Sequence, residues 1–182
     1  MARRIAWVIG FLAVVLAPAA AQAFPEHIYV NIPDLGPCGP VTAKGHERQF
    51  EALTIQEDIA NEITVGAAAG GSGTTKATVK TFTLVKAIDG CSTALFMRLV
   101  RGQPLPLMTI DFVRNDGVTF ASIRLDQLFI TDVKVTGSGD SPVELVTVVP
   151  AGKFTYTVKR FNANGSVSTD QACWDFVRNS GC

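Results

Sequence analysis

The chain has 182 residues, 47% of them hydrophobic and 18% charged, with sixteen basic side chains against sixteen acidic ones. That length suits one domain with enough apolar residues for a core. The balanced charge, with no Lys/Arg cluster in the body of the chain, excludes the cationic surface that nucleic-acid binding needs. No long apolar run follows residue 23, so no helical membrane span is expected there.

The first element is an address. Met1-Ala2-Arg3-Arg4 is a positive start, Ile5 to Leu16 is apolar, and Ala17-Pro18-Ala19-Ala20-Ala21-Gln22-Ala23 ends in an A-x-A-type site. This is the pattern of a secretory signal peptide over residues 1–23, cleaved after Ala23. An uncleaved anchor competes with it, but the apolar stretch is short for a span and Pro18 interrupts it. Arg3-Arg4 has no polar lead-in, which argues against a twin-arginine signal. Residues 24–182 then form the single mature domain, with a formal charge near minus two once Arg3 and Arg4 are removed. All four cysteines, Cys38, Cys91, Cys173 and Cys182, lie in this exported part, periplasmic or secreted, where disulfides persist. Four cysteines allow three pairings. Cys173 with Cys182 closes a short C-terminal loop and leaves Cys38 with Cys91, but spacing alone does not choose. No C-x-x-C or Cys/His cluster points to a metal.

Along the mature chain, Glu26 to Ile32 alternates as a half-buried strand, with Ile28, Val30 and Ile32 on one face and Tyr29 and Asn31 on the other. Pro33, Gly36, Pro37, Gly39 and Pro40 make an irregular loop carrying Cys38. An extended stretch runs from Arg48 to Ile59, and Gly66 to Gly73 reads as a flexible surface loop. Thr78 to Ile88 is a strand, with Phe82 and Leu84 opposite Val79, Thr81, Thr83 and Val85. One helix follows. Asp89 or Ser92 caps it, Leu95/Leu99 and Phe96/Val100 pair at i and i+4, Arg98 and Arg101 suit its last turn, and Gly102 stops it. Leu107 to Val113 turns at Asn115-Asp116-Gly117 and returns as Val118 to Leu125, a hairpin. Strands at Gln127 to Thr136, Glu144 to Val149 and Lys153 to Phe161 complete the set, with a last turn at Asn162 to Gly165. The expected fold is mainly β: an antiparallel barrel or sandwich of about eight strands with one flanking helix.

Catalytic patterns are missing. Gly66 to Gly73 with Lys76 is not a P-loop, because strand rather than helix follows Lys76. Gly71-x-Gly73 lacks the third glycine of a dinucleotide fingerprint, and neither Ser72 nor Ser138 completes G-x-S-x-G. His46-Glu47 has no histidine three residues later, and His27 starts a strand, where it faces solvent or caps an end. Glu57, Asp58 and Glu62 read as a solvated face rather than a carboxylate pair. Asn164-Gly165-Ser166 satisfies a glycosylation sequon but is more simply a turn pair. No enzyme activity, cofactor or metal is expected.

The order of these features resembles the haemolysin-coregulated protein (Hcp) family, the inner-tube proteins of type VI secretion systems. Glu26 to Leu35 is similar to that family's opening strand of the form "IYLKIPGI-G". Lys80-Thr81-Phe82-Thr83-Leu84-Val85-Lys86-Ala87-Ile88-Asp89 is similar to its "F-x-F-x-K-x-x-D" strand before the sole helix. Ile123 to Val135, Phe154-Thr155-Tyr156-Thr157 and a close of Trp174-Asp175 with Asn179, like "GWD-x-x-x-N", follow in the same order. The resemblance implies a structural β-barrel that self-associates as a six-membered ring, stacks into a hollow tube and carries or accompanies secreted effector proteins. Lys80, Thr81, Thr83 and Lys86 are then expected on an outward polar face lining a wet lumen. The leader and the cysteines add that this member is exported. A stand-alone periplasmic or secreted binding or adhesion module on the same barrel, using loops 33–47 and 66–76, is the alternative.

Overall fold

The computed structural model describes residues 27–60, 63–65, 72–74, 78–137, 139 and 141–182. The expected leader, most of the glycine-rich loop, Glu62, Lys76 and Ser138 lie outside the described residues. The strands are β1 (His27–Asn31), β2 (Phe50–Ala60), β3 (Ile63–Val65), β4 (Ser72–Thr74), β5 (Thr78–Ala87), β6 (Leu105–Val113), β7 (Thr119–Thr136), β8 (Val143–Pro150), β9 (Lys153–Phe161), β10 (Val167–Asp175) and β11 (Ser180–Gly181). One helix, α1 (Gly90–Arg101), and a 3-10 turn at Pro33–Leu35 complete the described elements.

Every strand pairing is antiparallel. Strands β1, β2, β5, β8, β7 and β6 pair in that order, and β6 returns to β1, which closes a barrel. Closure depends on β7. Its first half pairs with β6 through Leu105↔Leu128 to Val113↔Thr119, and its second half pairs with β8 through Leu128↔Pro150 to Thr136↔Val143. The sequence suggests two strands here, and the structure has a single 18-residue strand. Gln127 at φ 57 and a register shift between Ile130 and Asp132 let the chain change partners by bending instead of turning.

Strand β9 joins β7 at Ala121↔Val158 to Leu125↔Phe154, and β10 and β11 extend that sheet outward. The last two strands are not foreseen from sequence, because both faces of β10 are largely solvated and Val167–Cys173 shows no apolar stripe. Strands β3 and β4 form a short hairpin where only a loop is expected.

The core fills the barrel. Val30, Phe50, Phe82, Leu84, Met108, Ile110, Leu125 and Val148 are all buried, at alternate positions along their strands. Each such side chain contributes about 1.5–3 kcal/mol relative to exposure. Helix α1 covers one end of the barrel with Cys91 and Leu95. Its start is the expected one. Asp89 caps it by accepting from the Cys91 amide, the Ser92 hydroxyl accepts from the Asp89 amide, and Gly102 ends it at φ 58.

Candidate functional site

Strand parity puts Lys86 on the face of β5 shared by Phe82 and Leu84, so its side chain enters the core at 0% exposure. This corrects the expected outward face, to which Lys86 does not belong. An isolated buried ammonium is costly, so its protons need acceptors. Lys86 Nζ donates to Asp89 Oδ1 at 2.7 Å, Glu144 Oε1 at 2.7 Å, the Ala87 carbonyl at 2.8 Å and Ser92 Oγ at 3.2 Å. Glu144, 2% exposed, stands opposite Lys86 on β8, and the Ser92 hydroxyl donates to it at 2.9 Å. The Phe50 ring lies 5.2 Å from the ammonium. One cation and two carboxylates therefore tie β5, β8 and the cap of α1 into one unit.

The lock fixes how the helix presents its other side. Phe96 is 53% and Val100 57% exposed, and Met97 and the preceding Ile88 are also exposed. Phe96, Met97 and Val100 form an apolar stripe on α1 that stays exposed among the described residues. Further exposed apolar side chains mark two strand ribbons: Leu53 and Ile59 on β2, and Tyr156, Phe161 and Val167 on β9 and β10. The outward side of β2, β5 and β8 is different. Gln56, Thr83 and Thr147 form one cross-strand row, and Asp58 stands opposite Thr81 beside it. The Thr83 and Thr147 hydroxyls lie 3.4 Å apart.

A second polar group sits on the outside of β1. His27 stacks on Tyr29 at 5.4 Å, and His46 packs against the same ring, tilted, at 4.6 Å. His27 Nδ1 meets Glu51 at 2.7 Å, and His46 Nδ1 is 3.7 Å from Asp111. Burial raises the Tyr29 hydroxyl above its usual pKa, and the Glu51 charge adds to this. Burial likewise raises the Asp111 carboxyl, against the opposing pull of His46 and Lys159. Sequence reasoning misses this cluster because Glu51 and Asp111 each lie far along the chain from the histidine they meet, His27 and His46 respectively. Glu57 and Asp58 stay exposed on β2. Among the described residues no three His, Cys, Asp or Glu side chains gather to hold a metal ion.

The cysteines are paired as Cys38–Cys91 and Cys173–Cys182. The first bond staples the loop after β1 to the first turn of α1. That loop folds back on itself, with the Gly39 amide donating to Arg48 O, the Arg48 amide to Val41 O and the Val41 amide to Gln49 O. A Cβ at Gly39 would lie 1.8 Å from the Gln49 carbonyl oxygen, so glycine is required there. At the other end, Asp175 Oδ1 accepts from the Val177 and Arg178 amides. Those bonds, the Arg178 amide first, hold the Asp175 carboxyl below its usual pKa.

Comparison with known proteins places this arrangement. Residues 29–156 match the family described as "Type VI secretion system effector, Hcp". No curated protein matches the chain. Among solved structures, "Structure of a type six secretion system protein" is similar with a TM-score of 0.77 at 21% identity, covering 88% of this chain and 100% of that one. Hcp1 from Salmonella typhimurium follows with a TM-score of 0.69 at 22% identity, covering 86% of this chain and 98% of its own. A type VI secretion system effector from Yersinia pestis has a TM-score of 0.60 at 19% identity, covering 79% and 97%.

Proposed function

The chain belongs to the Hcp family of type VI secretion system proteins, and from that premise we propose that it is an exported structural member that closes six copies into a ring. The observation that carries this reading is the uncovered apolar stripe of α1, Phe96, Met97 and Val100, held outward by the Lys86 lock. A ring closes through a head-to-tail contact between two unlike surfaces. The stripe is one such surface, and the ribbons bearing Leu53 and Ile59 or Phe161 and Val167 are candidates for the other. Burying them on a neighbour removes apolar area from water without changing the barrel.

The polar side of β2, β5 and β8, with Gln56, Asp58, Thr81, Thr83 and Thr147, then faces a wet lumen. Secreted effector proteins are the partners that such a lumen accommodates. Residues 1–23 act as a cleaved leader, and residues 24–182 work in the periplasm or outside the cell. The role is structural.

Light scattering coupled to size exclusion tests this. The mature chain at tens of micromolar should run at the mass of six copies, and Phe96→Ser with Val100→Ser should return it to a monomer with an unchanged circular dichroism spectrum. A monomeric parent chain, or a ring that survives both substitutions, overturns the reading.

A further inference from the structure

The two disulfides occupy different surroundings. Cys91 is fully buried in the first turn of α1, and Gly90 next to it approaches the Cys38 carbonyl so closely that an added Cβ would lie 2.5 Å from that oxygen. Cys38 is half-buried, but the cavity beside the pair has a volume of only about 10 Å³, too small to admit an attacking thiolate without opening the fold. Cys173 and Cys182 instead line the wall of an open groove of about 490 Å³ with Thr155, Gln171 and Gly181. Cys182 is exposed and Cys173 half-buried. The Thr155 hydroxyl donates to Cys173 Sγ at 3.4 Å.

We propose that Cys173–Cys182 is a thiol–disulfide exchange site for a dithiol, and that its opening releases β11 from the edge of the sheet. A thiolate entering the groove meets the more exposed sulfur, Cys182 Sγ, and forms a mixed disulfide with it. The Cys173–Cys182 bond breaks at the same time, and Cys173 leaves as a thiolate that takes a proton from solvent. The Thr155 hydroxyl stabilises the charge that develops on this sulfur, and a better leaving group departs faster. The second thiol of the dithiol then attacks its own sulfur in the mixed disulfide. It leaves as a disulfide, and Cys182 is left as a thiol. Two electrons and two protons have passed to the chain.

The structural consequence follows from how little else holds β11. Its two residues pair as Trp174↔Gly181 and Asp175↔Ser180, supported by the Cys182 amide on the Cys173 carbonyl at 3.4 Å. The sheet ends there, and the outer edge of β10 before Trp174 already has no strand partner among the described residues. Breaking the bond therefore frees one whole side of the nine-residue β10, the kind of edge that folded proteins otherwise cover. The inference does not depend on ring formation, since every residue it uses lies in one chain.

Stepwise reduction of the purified, fully oxidised protein with dithiothreitol, followed by alkylation and peptide mapping, tests it. Cys173 and Cys182 should be modified first, while Cys38 and Cys91 remain linked. Thr155→Val should slow this reduction several-fold, and Thr155→Ser should restore the rate. Hydrogen exchange at 180–182 should accelerate about eighty-fold in the selectively alkylated protein, the loss expected from releasing a loop of this length. The variant C173S/C182S should show the same faster exchange without any reductant. Joint reduction of both bonds, earlier reduction of Cys38–Cys91, no rate change in the valine variant, or unchanged exchange at 180–182 would each overturn the proposal.

Discussion

Replacing Lys86 by methionine keeps an unbranched side chain, one heavy atom shorter, and deletes the one cation in the lock. Glu144 at 2% exposure then loses its counter-charge, and Asp89, at 12%, loses the ammonium 2.7 Å from it. Removing one member of a buried ion pair costs about 3–5 kcal/mol, since the remaining charge has neither water nor a partner. For a domain of this size that corresponds to a fall in Tm of about 6–20 °C. Urea unfolding with the disulfides intact, followed by the fluorescence of Trp174, measures it directly. The double variant K86M/E144L should lose less than K86M alone, because it removes the stranded charge and leaves Asp89 its bond from the Cys91 amide. The exposed pair Arg160–Asp170 is the control, with side chains 66% and 53% exposed, and its removal should cost less than about 1 kcal/mol. A K86M cost within that surface range, or single-variant costs that simply add in the double variant, would refute the view that these groups act as one buried unit.

Two further outcomes are expected. Replacing Cys38 and Cys91 by alanine should lower stability by about 4 kcal/mol, against about 2.6 kcal/mol for Cys173 and Cys182, since the loops closed span 53 and 9 residues and the loss grows with the logarithm of loop length; equal losses in urea would contradict this. Asp111, raised by burial, binds a proton more tightly in the folded chain than in the unfolded one. Its contribution to stability is therefore fully present below the unfolded value near 3.9 and is lost as pH rises through the folded value. Asp111→Asn should flatten the fall in stability as pH rises above about 4, and an unchanged pH profile in calorimetry would count against it.

Much of this protein is legible without a structure. Alternation along β1 and β5 separates their two faces because side chains in a strand repeat every second residue, and Asp89, Ser92 and Gly102 mark the ends of α1 because free amides and carbonyls there need local partners. The cysteine pairing has only three solutions, and the structure selects one by distance. What sequence does not carry are features whose parts meet only across the sheet. Lys86 looks like an outward lysine until Glu144, far along the chain, stands beside it on β8. The ring of Tyr29 meets His46 only because the loop after β1 folds back.

From composition and local spacing alone came the strand-rich class and the one helix of the described residues with its caps, since each is written in neighbouring residues. Tertiary structure decided that β7 passes unbroken between two partners to close the barrel, that a lysine belongs to the core, and that one disulfide has a fully buried cysteine while the other lines an open groove. These depend on which distant segments share a register, and register is settled by packing the whole chain at once.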